Sequence, residues 1–254
     1  QEINTLEQSV NFLLRVRNEL HYQTGKKKDV LTLDIQETLA RELGYSGEEG
    51  QSAVEQFMRN YFLHATNVHQ ISESIFQRCM EAGPLLTQVI TNLKSRDLGK
   101  GFVARKNELA IKKSAHNLFE KHPECLLDVF KLCEEHGLRP DAQLKRLIRQ
   151  NAFRMDAEFL EQSEVPQFLI NLLKQSSSEP TLRTMHEVGI LGRILPEFGI
   201  THCRVQYDFY HRFTTDEHAL RMVRFFEELA KPQEEGLSKL KELHRDLNDK
   251  ALIK

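Results

Sequence analysis

The sequence has no tryptophan, four cysteines among 254 residues and no long hydrophobic run. Cys79, Cys125, Cys133 and Cys203 are widely spaced and none belongs to a C-x-x-C pair, which excludes a zinc knuckle or a disulfide framework as the organising device. They read as reduced cytosolic thiols, some of them in the core. No apolar stretch approaches the ~20 residues a membrane helix needs. No membrane partner is expected, and the expected compartment is the cytoplasm. The opening Gln1-Glu2-Ile3 lacks a basic-then-apolar signal pattern. Gln1 is not an initiator methionine, which points to a processed chain or an excised fragment. The formal net charge is only −2, so no global field draws in nucleic acid or an anionic membrane, and no nucleic-acid partner is expected. Hydrophobic residues make up 40% of the chain, which supports a real core and excludes general disorder.

Several chemical signatures are missing as well. The sequence contains no Gly-Ser dipeptide and no Asp-x-Asp, the loop and carboxylate pair that a polymerase-beta-type nucleotidyltransferase needs for triphosphate and magnesium. Leu98-Gly99-Lys100-Gly101 lacks P-loop spacing and reads as a surface turn. Neither a Gly-x-Ser-x-Gly elbow nor H-E-x-x-H occurs.

What is present is helical period. Ile3, Leu6, Val10, Leu13, Leu14 and Leu20 predict one apolar stripe, stopped by Gly25. A basic loop, Lys26-Lys27-Lys28, follows. Asp34 and Glu37 predict a capping box for a helix ending near Gly44. Val54, Phe57, Met58, Phe62, Ala65, Val68, Ile71, Ile75 and Phe76 predict a longer helix, ended by Gly83-Pro84. Phe102-Val103-Ala104 and Leu109-Ala110-Ile111 predict a short hairpin. Pro123 suits a first helical position, with Gly137 past that helix's end. Asp141 is placed to cap the next helix. Val165 to Lys174 is apolar, Ser176 to Pro180 reads as a loop, and Thr181 to Val188 reads as a helix stopped by Gly189. Ala219 to Ala230 is helical, then Lys231 to Gly236 breaks to a last charged helix. The expected fold is all-α, a multi-helix bundle with at most one small β-hairpin near residues 100–113.

The densest chemistry lies in Gln206-Tyr207-Asp208-Phe209-Tyr210-His211-Arg212-Phe213-Thr214-Thr215-Asp216-Glu217-His218. Gln206, Asp208, His211 and Asp216 are candidate interface or substrate-facing residues. Asp216 suits an N-cap, which places Glu217 and His218 in the first turn of a helix. A lone histidine there is most simply a capping and hydrogen-bonding residue. The aromatics read as packing residues in preference to a base-stacking platform. A second dense stretch is Arg15-Val16-Arg17-Asn18-Glu19-Leu20-His21. Arg15 and Arg17 cannot both face the core, so one is available to a carboxylate or phosphate across an interface. The plainer alternative is a solvated helix face.

These residues carry a resemblance. Met185 to Phe198, with the segment Gln206 to His218, is similar to paired motifs of the bacterial bifunctional PII uridylyltransferase/uridylyl-removing enzymes. Phe12 to His21, Leu33 to Tyr45, Phe57 to Phe62 and Phe119 to Arg149 resemble further segments of that family in the same order. Phe213 and Thr215 stand where the family usually has Tyr and Val. The resemblance implies a helical domain over residues 1–200, following a nucleotidyltransferase core, and the truncated start of an HD phosphohydrolase domain over residues 201–254.

By the same resemblance, His218 matches the first metal-binding histidine of the HD domain. The His-Asp pair that should follow is missing; His244-Arg245-Asp246 is not one. No complete catalytic set and no cofactor of its own are therefore expected for this chain. For the parent the resemblance implies magnesium at the transferase site and a divalent metal at the HD site. Its implied partners are PII signal protein, UTP and glutamine. Arg15, Arg17 and His21 are the expected packing face toward the transferase domain. Apolar faces made for missing domains favour association of the chain with itself. A free-standing α-helical interaction module without catalysis is the alternative. A metal phosphohydrolase in its own right is disfavoured by the missing His-Asp pair.

Overall fold

In a computed structural model, residues 2–48, 50–81, 95–162 and 164–229 are described, together with Leu240 and Glu242. Contacts divide the chain into two compact units. One comprises residues 1–78 with 200–218, and the other residues 79–199 with 219–254. The division into 1–200 and 201–254 expected from the resemblance follows sequence order, whereas packing groups 200–218 with the N-terminal helices.

The first unit is built on helices α1 (Glu2–Thr24), α2 (Leu33–Glu42) and α3 (Ala53–Glu81). Their shared core is Val16, Leu20, Leu39, Ala40, Val54, Phe57 and Met58, with Val205 and Tyr207 packed against it. Gly25 ends α1 with φ of +61°, as its position predicts. The stripe expected on α1 is corrected. Leu20 is buried, but Ile3, Val10 and Leu14 are exposed, and the buried line runs through Ser9, Val16 and Leu20. Period defines faces; which face is covered depends on the neighbouring helices. Ser9 is tolerated in the interior because its hydroxyl meets His64 Nδ1 at 3.0 Å and accepts from Asn67 Nδ2 at 3.4 Å.

The Asp34–Glu37 capping box is also corrected. The N-cap of α2 is Thr32, with no side-chain cap bond, so Asp34 is already inside the helix. The capping box that does form lies at the start of α3. Glu55 accepts from the Ser52 amide at 2.9 Å, and the Ser52 hydroxyl accepts from the Glu55 amide at 3.3 Å. Ile75 and Phe76, expected on the α3 stripe, are exposed. The stop expected at Gly83-Pro84 lies outside the described residues.

The second unit carries a four-stranded sheet, β1 (Arg96–Gly99), β2 (Phe102–Arg105), β3 (Glu108–Ile111) and β4 (Arg139–Pro140), in that order. The expected hairpin is β2–β3, paired from Phe102↔Ile111 to Arg105↔Glu108. A strand on either side extends it: β1 is antiparallel to β2 and β4 parallel to β3. Neither flanking strand has apolar alternation, so period could not reveal them. The surface turn expected over Leu98-Gly99-Lys100-Gly101 is shorter: Leu98 and Gly99 end β1, and Lys100-Gly101 joins it to β2. Helices α4 (Leu118–Lys121), α5 (Cys125–His136), α6 (Ala142–Asn151), α7 (Ala157–Gln162), α8 (Val165–Lys174), α9 (Glu179–Glu187), α10 (Leu191–Ile194) and α11 (Pro196–Ile200) follow. Asp141 caps α6 by accepting from the Leu144 amide at 2.7 Å, as predicted. Pro123 is not the first helical residue, because α5 starts at Cys125. The Ser176–Pro180 loop is shorter than expected, since Glu179 and Pro180 already form the first turn of α9.

Helix α12 (Thr215–Glu228) begins four residues before the expected Ala219. Sequence leaves open how the segment after His218 packs. Leu220 and Val223 join the core of the second unit, with Phe130, Leu147 and Met185. The charged helix expected after Gly236 lies outside what can be described, apart from Leu240 and Glu242.

The Gly-Ile-Leu-Gly run is a packing device. Gly189 ends α9 with φ of +78°. A Cβ on Gly192 would lie 2.9 Å from the Gly199 Cα, and one on Gly199 would lie 2.7 Å from the Gly192 carbonyl oxygen. Backbone meets backbone, so neither side can yield by a rotamer change. Gly192→Ala is expected to cost about 2 kcal/mol, measured as a lowered urea midpoint. An unchanged midpoint would show that this contact does not constrain the fold.

Candidate functional site

The 200–218 segment begins with a tight turn in which the Arg204 amide donates to the Thr201 carbonyl at 2.9 Å. Cys203, at its centre, is buried with φ of +54°, a left-handed conformation uncommon outside glycine. Asp216, 3% exposed, stabilises that turn. Its Oδ2 accepts the Cys203 amide at 3.0 Å and pairs with His202 Nδ1 at 3.0 Å, while Oδ1 accepts the Glu217 amide at 2.9 Å. The Thr215 amide donates to the Arg204 carbonyl at 2.8 Å. These bonds tie the start of α12 to the turn.

Asp216 is therefore not the N-cap of α12. Thr214 occupies that role, its carbonyl accepting the His218 amide at 2.8 Å. Asp216 turns inward while His218 is exposed. The same segment is fastened to the N-terminal helices. Arg59 Nε donates to the His202 carbonyl at 3.3 Å, and the Tyr207 hydroxyl donates to the Leu33 carbonyl at 2.8 Å. Glu55 accepts the Tyr207 amide at 3.2 Å. Burial alone would raise the Glu55 carboxyl, but the Ser52 and Tyr207 amides outweigh it and its pKa falls.

Asp208 organises the outer loop. Its Oδ1 accepts the amides of Tyr210 and His211, both at 2.8 Å, and its Oδ2 meets His211 Nδ1 at 2.6 Å. The His211 amide and ring hold the Asp208 carboxyl below the usual range. The His211 and His218 rings lie edge to face, with centroids 6.4 Å apart. Of the four aromatics expected to pack, Tyr207 packs on the core, whereas Phe209, Tyr210 and Phe213 are 86%, 90% and 42% exposed, which corrects the expectation for them.

The structure thus brings Asp208, His211 and His218 into one neighbourhood. Gln206 is exposed, its carbonyl accepting the Asp208 amide at 3.1 Å. Arg15 is exposed as well. Arg17 makes two bonds to Asp29, at 2.8 and 3.1 Å, and His21 Nε2 meets the same carboxylate at 3.2 Å. Neither arginine faces the core. Sequence reasoning missed His202, for which no local signal exists, and Glu55, which the Ser52-x-x-Glu55 spacing could have found.

His218 is the residue that the resemblance makes a metal ligand. Within this unit, among the described residues, His211 is the imidazole beside it, and its Nδ1 is engaged by Asp208. Two imidazoles do not complete a divalent site. The residues present do not by themselves fit the metal.

The His202 imidazolium is the strongest electrostatic feature. The bond to Asp216 and the contact with the Cys203 thiol push its pKa up to about 10, against burial, which lowers it. With the folded value raised, this stabilisation is fully present below the ordinary value near ~6.5 and is lost as pH climbs through the raised one. The ring is 39% exposed, so screening limits the effect. Stability is expected to fall by about 1–2 kcal/mol from neutral pH to beyond that raised value. His202→Gln should flatten this decline in urea titrations. Identical slopes in both proteins would assign the pH dependence to other groups.

A family described as GlnD PII-uridylyltransferase matches residues 1–76, and one described as uridylyltransferase GlnD third domain matches residues 102–194. The chain belongs to the GlnD uridylyltransferase family. Relatives named bifunctional uridylyltransferase/uridylyl-removing enzyme align along most of it. The one from Pseudomonas aeruginosa (strain LESB58) is 31% identical over 91% of this chain and 26% of its own length. That from Rhodospirillum rubrum is 30% identical over 84% of this chain and 23% of its own, and that from Nitrobacter winogradskyi 26% identical over 98% and 28%. The chain spans about a quarter of the length of these curated GlnD relatives. No solved structure matches it. No helix among the described residues is long and apolar enough to cross a membrane.

Proposed function

We propose that this fragment of a GlnD-type bifunctional enzyme is the helical part linking a transferase site to a hydrolase site, in a protein that adds uridylyl groups to the PII signal protein and removes them in nitrogen regulation. UTP and glutamine are the small-molecule partners of that reading, magnesium and a second divalent metal its cofactors, and the cytoplasm its compartment. Residues from 201 onward open the HD-type hydrolase part, with His218 as its first metal ligand. Arg15, Arg17 and His21 face the transferase part.

The observation that supports this most is the anchoring of α12. Buried Asp216 fastens the helix start to His202 and Cys203, leaving His218 exposed at its first turn. A ligand built this way is positioned before its partners arrive. The chain's own residues do this positioning; the remaining ligands come from elsewhere in the longer protein.

Uridylyl transfer to PII, and release of UMP from uridylylated PII, should be measured for the longer protein and for this chain. Activity is expected from the longer protein only. There, His218→Ala should lower UMP release by about 100-fold or more and spare transfer. Undiminished release would refute the assignment of His218. Stop codons directly on both sides of this coding sequence would favour a free-standing helical interaction module instead.

A further inference from the structure

We infer that Phe209 and Tyr210 form a stacking platform for the base of a nucleoside monophosphate group presented to His211 and His218. This rests on the proposed nucleotide-removing role of the same region and adds to it the element that recognises the nucleotide. Two consecutive aromatic side chains are almost wholly exposed, at 86% and 90%. Such residues normally bury most of their surface, so their exposure here is informative. The loop that carries them is held in shape. Asp208 takes the amides of Tyr210 and His211 and the His211 ring into one turn, which fixes the backbone on which the aromatics stand.

Directly after the platform comes His211, whose ring lies against that of His218, followed by exposed Arg212. One short loop therefore carries, in consecutive positions, two exposed aromatic rings and then donors that suit a phosphate. A nucleotide requires that pairing: every base has a π-face that stacks on an aromatic ring, and the phosphate favours cationic neighbours. Tyr22, also exposed, stands on α1 outside this loop and serves as the control.

The test is equilibrium binding to this chain, followed by NMR shifts, with UMP, ribose 5-phosphate and inorganic phosphate as probes. UMP is expected to bind roughly ten-fold more tightly than ribose 5-phosphate, since stacking on an aromatic supplies that much. Phe209→Ala combined with Tyr210→Ala should abolish the difference, and Tyr22→Ala should preserve it. Because both platform side chains are exposed, the double variant should fold, which its circular dichroism and urea midpoint check. Equal affinity for UMP and ribose 5-phosphate, unchanged UMP binding in the double variant, or no UMP binding at all would each overturn the inference. Binding needs no turnover, so the outcome is separate from the role in removal. That role fails on its own if the longer protein releases no UMP from uridylylated PII.

Discussion

Asp216→Ala is expected to destabilise the protein by about 3 kcal/mol. The carboxylate is 3% exposed and takes the Cys203 amide and the His202 imidazolium on one oxygen and the Glu217 amide on the other. Truncation leaves the buried Cys203 amide without its acceptor at a residue already held at φ of +54°. His202, being partly exposed, can turn to water, so the cost falls mainly on the turn. Asp216→Asn keeps an acceptor for Cys203 and loses the ion pair, so about half the effect should remain. Urea titration reads both. A midpoint shift near zero in Asp216→Ala would show that the turn does not depend on this carboxylate.

Glu227→Ala should be of comparable size, about 3 kcal/mol. Glu227 sits near the end of α12 and acts as the cap of another helix. One of its oxygens accepts both the amide and the hydroxyl of Ser178, each at 2.7 Å, and the other accepts the Glu179 amide at 3.4 Å. Ser178 is the N-cap of α9, but its hydroxyl donates to Glu227 and makes no cap bond of its own. A carboxylate beside a helix N-terminus also meets the positive end of the dipole. Ser178 is 0% and Glu227 7% exposed, so water cannot readily replace what is removed. Glu227→Gln, which retains an acceptor, should lose much less. If Ala and Gln behave alike, the carboxylate is not the cap of α9. The pair of substitutions also tests whether the segment after His218 is integral to the second unit.

Local features are legible in the sequence. Gly25, Gly137 and Gly189 end helices with positive φ, and Asp141 caps α6, because these signals act within one turn of the chain. The hairpin is legible because two apolar triplets flank a short polar turn. Its outer strands are not, since Arg139–Pro140 is a strand only through its parallel pairing with Glu108 and Leu109. At the candidate site, the density of histidines and carboxylates is visible, yet spacing alone makes Asp216 a helix cap, which it is not. The side chain that receives it, His202, is fourteen positions away, and a distance across a folded turn leaves no trace in spacing.

The sequence alone determined the class of protein and its family. A helical period, glycine stops and long collinear motifs record local propensity and common descent, and both can be read residue by residue. Only the tertiary structure decided what those motifs do. It turned Gly192 and Gly199 into a backbone contact, Asp216 and Glu227 into buried acceptors for distant amides, and Phe209 and Tyr210 into an exposed pair. Burial and hydrogen-bond partnership are set by which parts of the chain come to lie together, and no local pattern carries that information.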